Sequence, residues 1–174
     1  MKILNLCAGA TRPQDEAWWN LDNLHEVLLP GTPERDNLDS EPRYINVDVL
    51  KDRLPFNDDD FDGIIASHCI EHWTCQEAIA VMRECLRILK PNGVLLASVP
   101  DASYHRQVYH RDTVENAQEL FGEPIHLPDG ETNFLGYGLF NRWHKTVMTE
   151  DALWSHFVRA GFPNCGINNV SETG

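Results

Sequence analysis

The chain has 174 residues, enough for one domain around one core. Its 14 Lys and Arg face 27 Asp and Glu, a net charge of −13, which argues against a surface that wraps nucleic acid, because neutralising phosphates needs clustered cations. Hydrophobic residues make up 42%, an ordinary globular share, and no apolar run approaches the roughly 20 residues of a membrane helix. In chain order, Lys2 to Ala8 reads as a buried first strand. It lacks the charged flank of a signal peptide and is interrupted by Asn5. Trp18 to Leu21 is a second strand. Residues 30–42 carry Pro30, Gly31, Pro33 and Pro42 among charges and are expected to form a loop. Tyr44 to Val47 is a third strand, and Ile64 to Ser67 lies in a fourth.

Thr74-Cys75-Gln76-Glu77 is a capping box, in which hydroxyl and carboxylate satisfy free amides at a helix start. Ile79, Met82, Leu86 and Leu89 then recur at helical spacing, as a core stripe does. Pro91-Asn92-Gly93 is expected to stop that helix, with Gly93 as a left-handed cap. Val94 to Val99 reads as a fully apolar strand of a parallel sheet. Residues 101–145 break the alternation. They hold one expected helix, Asp112 to Phe121, and then a Gly- and Pro-bearing loop that is expected to act as a substrate wall or lid. Thr149 caps a last helix carrying Leu153 and Phe157, Gly161 ends it, and a short strand near Gly166 to Val170 follows. The five cysteines form no Cys-x-x-Cys pair and read as free thiols of a reducing, cytoplasmic compartment.

The densest signal runs from Leu54 to His72. Leu54-Pro55-Phe56 and an acidic turn, Asn57 to Asp60, lead into the apolar run Phe61 to Ala66. The chain then turns polar at Ser67, His68, Glu71 and His72. Ligands of open α/β sheets sit outside the carboxyl ends of strands, so a site is expected here.

This block resembles the central signature of class I S-adenosylmethionine-dependent methyltransferases. The resemblance extends to Glu77–Gly93, Val94–Asp101, Lys2–Gly9, Trp18–Asp22 and His144–Phe162. It implies an α/β, Rossmann-like open sheet, mostly parallel, with helices on both faces. The version is minimal, lacking the amino-terminal cap helices and the seventh strand, and fills residues 1–174 as one domain. The implied cofactor is S-adenosylmethionine. Asp22 ends the second strand, where a carboxylate can accept two bonds from ribose hydroxyls. By resemblance, Asp48 accepts from the adenine amino group, and the amide of Val49 or Leu50 faces the ring. The loop Cys7, Ala8, Gly9 approaches the methionine portion, which Ser67 and His68 line. Only Gly9 remains of the glycines usual in that loop, Cys7 stands at a glycine position, and Asn5 stands where an acid is common.

Methyl transfer needs alignment above all, and an oxygen or nitrogen nucleophile can also need a base. His72 and His144 are the candidates. The expected acceptor is a small molecule or sugar-like compound. A cofactor-binding relative without catalysis, or a subunit completed by a homo-oligomer or another partner, is the alternative. His68-Cys69-Ile70-Glu71-His72 also spells a zinc peptidase pattern. That chemistry needs both imidazoles on one helical face, whereas His68 follows a β-type run and the helix signal starts at Thr74, so no metal is expected.

Overall fold

A computed structural model describes residues 1–9, 12–23, 28, 30–101, 125–126, 132–133, 145–146 and 148–166. Five strands form one parallel sheet: β1 (Ile3–Leu6), β2 (Trp18–Asp22), β3 (Tyr44–Asn46), β4 (Phe61–Ser67) and β5 (Leu89–Ser98). Their order in space is β3-β2-β1-β4-β5. The order reverses between β1 and β4, and that switch point is where open α/β sheets bind ligands. A separate antiparallel pair joins β6 (Ile125–His126) to β7 (Thr132–Asn133).

Among the described residues, three α-helices accompany the sheet: α1 (Pro33–Ser40), α2 (Cys75–Ile88) and α3 (Glu150–Ala160). The core lies between one sheet face and the α2–α3 pair. Leu4, Leu6, Leu21, Ile64 and Ala66 meet Ile79, Met82, Cys85 and Ile88 there, all buried. Thr74 and Glu77 form the expected capping box, with the Thr74 amide donating to Glu77 Oε2 at 2.7 Å. Thr149 caps α3, and Gly161 ends it in the left-handed region at φ 104°.

Neighbouring residues along a strand face opposite sides of the sheet. On the side opposite Leu21, the paired Asn5 and Asn20 are buried, and Asn5 Nδ2 donates to Asn20 Oδ1 at 3.1 Å. Asn20 Nδ2 in turn donates to the Pro13 carbonyl at 3.0 Å and to Glu41 Oε1, at the end of α1, at 3.4 Å. Helical elements therefore approach both faces, one of them through polar contacts.

Three expectations need correction. Residues 30–42 are not all loop, because Thr32 accepts from the Arg35 amide and Pro33 stands at the first helical turn of α1. A proline there is pre-set for a helix and loses no needed donor. Gly93 is not the left-handed cap. α2 ends at Ile88, its cap Leu89 is extended, and Asn92 takes φ 67°. Gly93 sits in a crowded place, where a Cβ would lie 3.0 Å from the Lys90 carbonyl oxygen and 3.2 Å from that of Phe61, so a side chain there would press on both. The register shifts here, from Phe61 opposite Leu89 to Gly63 opposite Val94. Finally, β5 is not buried on both sides: Val94 and Leu96 are 62% and 59% exposed, while Leu95 and Ala97 pack against the core. The expected helix Asp112–Phe121 and the strand residues 167–170 lie outside the described residues.

Arg87, on the last turn of α2, holds the segment that feeds β4. It donates to the carbonyls of Leu54 at 3.1 Å and Phe56 at 2.9 Å, and grips Glu84 and Asp58. Arg87→Met should cost about 1–3 kcal/mol, because acceptors are left unmade. Arg87→Lys should recover little, since an ammonium cannot reproduce the planar fork. Urea unfolding checks this, and a lysine variant as stable as wild type would contradict it.

Candidate functional site

The carboxyl ends of β1, β2 and β3 frame a small hollow of about 80 Å³ lined by Cys7, Asp22, Asn23, Val47, Asp48, Val49, Leu50 and Trp73. Two carboxylates border it, and Val47, Val49, Leu50 and Trp73 supply apolar walls. Acceptors for hydroxyls beside an apolar slot suit a nucleoside.

The first loop is shaped by its neighbours. Gly9 takes φ 52° with no atom near where a Cβ would stand, so its need for glycine is conformational. Its amide donates to Asp22 Oδ2 at 2.7 Å, and the Asn23 amide donates to Asp22 Oδ1 at 2.8 Å. A carboxylate offers about four acceptor positions, so Asp22 can hold this loop and still accept from a ligand. Arg12 donates to the Gly9 carbonyl and to Glu41 Oε2, the latter at 2.7 Å. Cys7 takes φ 55°, a conformation rarely tolerated by a side-chain-bearing residue. Ala8 is buried beside it.

Asp48 accepts from the Leu50 amide at 3.0 Å and from Lys51 Nζ at 2.7 Å. The Lys51 ammonium holds the Asp48 carboxyl below its ordinary value, against a smaller opposing effect of burial. Of the two backbone amides offered for the adenine ring, that of Leu50 is thus occupied by Asp48, while Val49 lines the hollow.

Ser67 and His68 stand at the end of β4, outside that lining. Ser67 Oγ lies 3.0 Å from Ser98 Oγ. His68 takes φ 50°, its side chain is 66% exposed, and its Nδ1 lies 3.5 Å from Oε1 of the buried Glu71. His72 is half-buried in a single 3₁₀ turn, Ile70–His72. His68 and His72 thus do not share a helical face, which the zinc-peptidase pattern demands. Among the described residues, no group of three or more His, Cys, Asp or Glu side chains could hold a metal ion. His144 lies outside the described residues.

Sequence reasoning missed Trp73, whose signal was weak: one aromatic between a polar strand end and a helix cap. The turn that carries it is fastened from beyond the 101–145 insert. The Lys145 and Thr146 amides donate to the Glu71 carbonyl at 2.8 and 3.1 Å, and Thr146 Oγ1 donates to the Trp73 carbonyl at 3.2 Å. Asp101 also bridges Met148, so both ends of the insert meet beside the site.

The sheet order is that of a Rossmann-like fold, which the chain shares with solved S-adenosylmethionine-dependent methyltransferases. Residues 23–97 match the family described as a methyltransferase domain. No curated protein sequence matches the chain. Among solved structures, an S-adenosylmethionine-dependent methyltransferase from Archaeoglobus fulgidus is similar at TM-score 0.55 and 12% identity, over 92% of this chain and 60% of that one. One from Methanosarcina mazei is similar at TM-score 0.55 and 16% identity, over 91% and 78%. A third, from Haloferax volcanii, is solved in complex with the Trm112 methyltransferase activator, at TM-score 0.50 and 15% identity, over 92% and 60%. The chain thus spans about 60% of the length of the Archaeoglobus protein. Among the described residues, no helix is long and apolar enough to cross a membrane.

A depressed carboxyl adds stability above its unfolded value and loses it as pH falls through the lower folded one. The Asp48–Lys51 pair should therefore support the fold above about pH 4, the ordinary aspartate value. Lys51→Met should raise the midpoint of acid unfolding. An unchanged midpoint would show that the exposed Lys51 contributes nothing.

Proposed function

We propose that this chain transfers the methyl group of S-adenosylmethionine to an oxygen or nitrogen of a small-molecule or sugar-like acceptor. The observation that carries this reading is the hollow holding Asp22, Asp48, Val49 and Cys7 beside the switch point. When bound, the donor supplies a methyl group already activated on a sulfonium.

The chain's own residues have separable roles. Asp22 accepts from the ribose hydroxyls while keeping Gly9 in place. Asp48 accepts from the adenine amino group, and Val49 presents its amide to the ring. Cys7, Ala8 and Gly9 bring backbone close to the methionine end, and Ser67 and His68 face it from β4. His72 or His144 takes the proton of the acceptor. Most of the rate enhancement comes from alignment, worth about 7–11 kcal/mol in well-oriented systems. The net charge of −13 favours a small acceptor over nucleic acid.

A second reading is a binding subunit that depends on a partner. It is favoured by the sparse glycine loop, in which both Asp22 oxygens already accept backbone amides. The activator bound to the Haloferax relative gives it a precedent.

Calorimetry with S-adenosylhomocysteine tests the donor site. Binding is expected, with Asp22→Ala and Asp48→Ala each losing about 1.5–3 kcal/mol, roughly ten- to a hundredfold in affinity. Wild-type affinity in both variants would remove these two roles. Labelled-methyl turnover on metabolite fractions then separates enzyme from binder. Binding without turnover, reversed by a co-purified protein, would favour the partnered subunit.

A further inference from the structure

Cys7 and Cys69 leave β1 and β4, the two strands that flank the switch point. Their sulfurs lie 2.8 Å apart, with the Cys69 thiol donating to Cys7 Sγ. Two features set this pair apart from the other thiols. Cys7 occupies a left-handed backbone position that glycine would take without strain, and the side chain held there at that cost meets a second sulfur. The two thiols are also unequal: Cys7 is partly exposed and lines the hollow, whereas Cys69 is 1% exposed behind it.

We propose that Cys7 and Cys69 form a reversible oxidative modification site in the wall of the donor pocket, open to two-electron oxidants of the peroxide class. The placement in the donor pocket rests on the function proposed above; the thiol chemistry does not. Peroxide reaches Cys7 through the hollow. Its thiol becomes a sulfenic acid, the O–O bond breaks, and one water leaves. Cys69 Sγ then attacks Cys7 Sγ, the S–O bond breaks, and a second water leaves with the Cys69 proton. Two thiols and one peroxide thus give one disulfide and two waters, and a dithiol reductant reverses the change.

The sulfurs need close by less than 1 Å to reach the bond length of about 2.05 Å, so the strands need not separate. Burial pushes the Cys69 thiol up, as does its bond to Cys7. The more exposed Cys7 therefore meets peroxide first, and the buried Cys69 acts as the resolving thiol. Cys85, also buried and pushed up to about 12, remains inert.

Peptide mapping after hydrogen peroxide treatment and alkylation tests the assignment. Cys69 and the exposed Cys75 share a tryptic peptide, so Cys75→Ser protein is used. A Cys7–Cys69 link should dominate and disappear with dithiothreitol. Cys85→Ala should retain it, and Cys69→Ala should instead accumulate Cys7 bearing added oxygen. A map in which Cys7 takes up oxygen unlinked, or joins another cysteine, overturns the proposal without any variant of Cys69. Saturating S-adenosylhomocysteine should slow the link about fivefold or more by covering Cys7. If calorimetry shows binding and the rate is unchanged, the pair does not belong to the donor pocket and that placement is overturned. If calorimetry shows no binding, the donor reading fails instead, and the map alone decides the thiol chemistry.

Discussion

A short crossover constrains most of this molecule. Only the eleven residues between Leu6 and Trp18 carry the chain from the end of β1 to the start of the parallel β2, a span usually filled by a dozen or more residues and a helix. The described part of this connection is not helical. What holds it is polar: Gly9 on Asp22, Arg12 on Glu41, and the Pro13 carbonyl on Asn20. A loop that lays carbonyls across a sheet needs donors beneath it, which accounts for two buried asparagines where aliphatic residues usually pack. The same fastening aims Cys7 and Asp22 at one hollow, so the shape of the site follows from the brevity of the connection.

Much of the fold was legible because its signals were local. The capping box at Thr74, the Thr149 cap and the Gly161 stop each depend on a few adjacent residues, and each appears as expected. α1 was overlooked because Pro33 was counted with Pro30 and Pro42 as a loop former, although Thr32-Pro33-Glu34 is a proper helix start. The burial of β5 could not be read from Val94-Leu95-Leu96-Ala97, since uniform apolar letters do not say which face another element covers. Asn92 and Gly93 exchanged roles because the limit on Gly93 is a long-range approach to the Phe61 carbonyl.

The site divides in the same way. Asp22 and Asp48 were legible as acids ending β-rich runs, and both border the hollow. Ser67 and His68 stand beyond its rim, and Trp73 enters it because a 3₁₀ turn and the Thr146 hydroxyl position its backbone. The letters His68-Cys69-Ile70-Glu71-His72 fit two chemistries. Backbone conformation separates them: a left-handed His68 followed by a single 3₁₀ turn cannot present the imidazoles as a helix would.

The stitching of residues 101, 145, 146 and 148 beside Glu71 and Trp73 bears on how the insert can vary in length. The 43 residues between Asp101 and Lys145 leave and return at one place. The entropy of closing such a loop grows only with the logarithm of its length, so doubling it costs about 0.6 kcal/mol. With both ends fixed, a change of length between them costs little closure entropy. A change of length in that segment can therefore alter what faces the site while the hollow between β1, β2 and β3 keeps its frame.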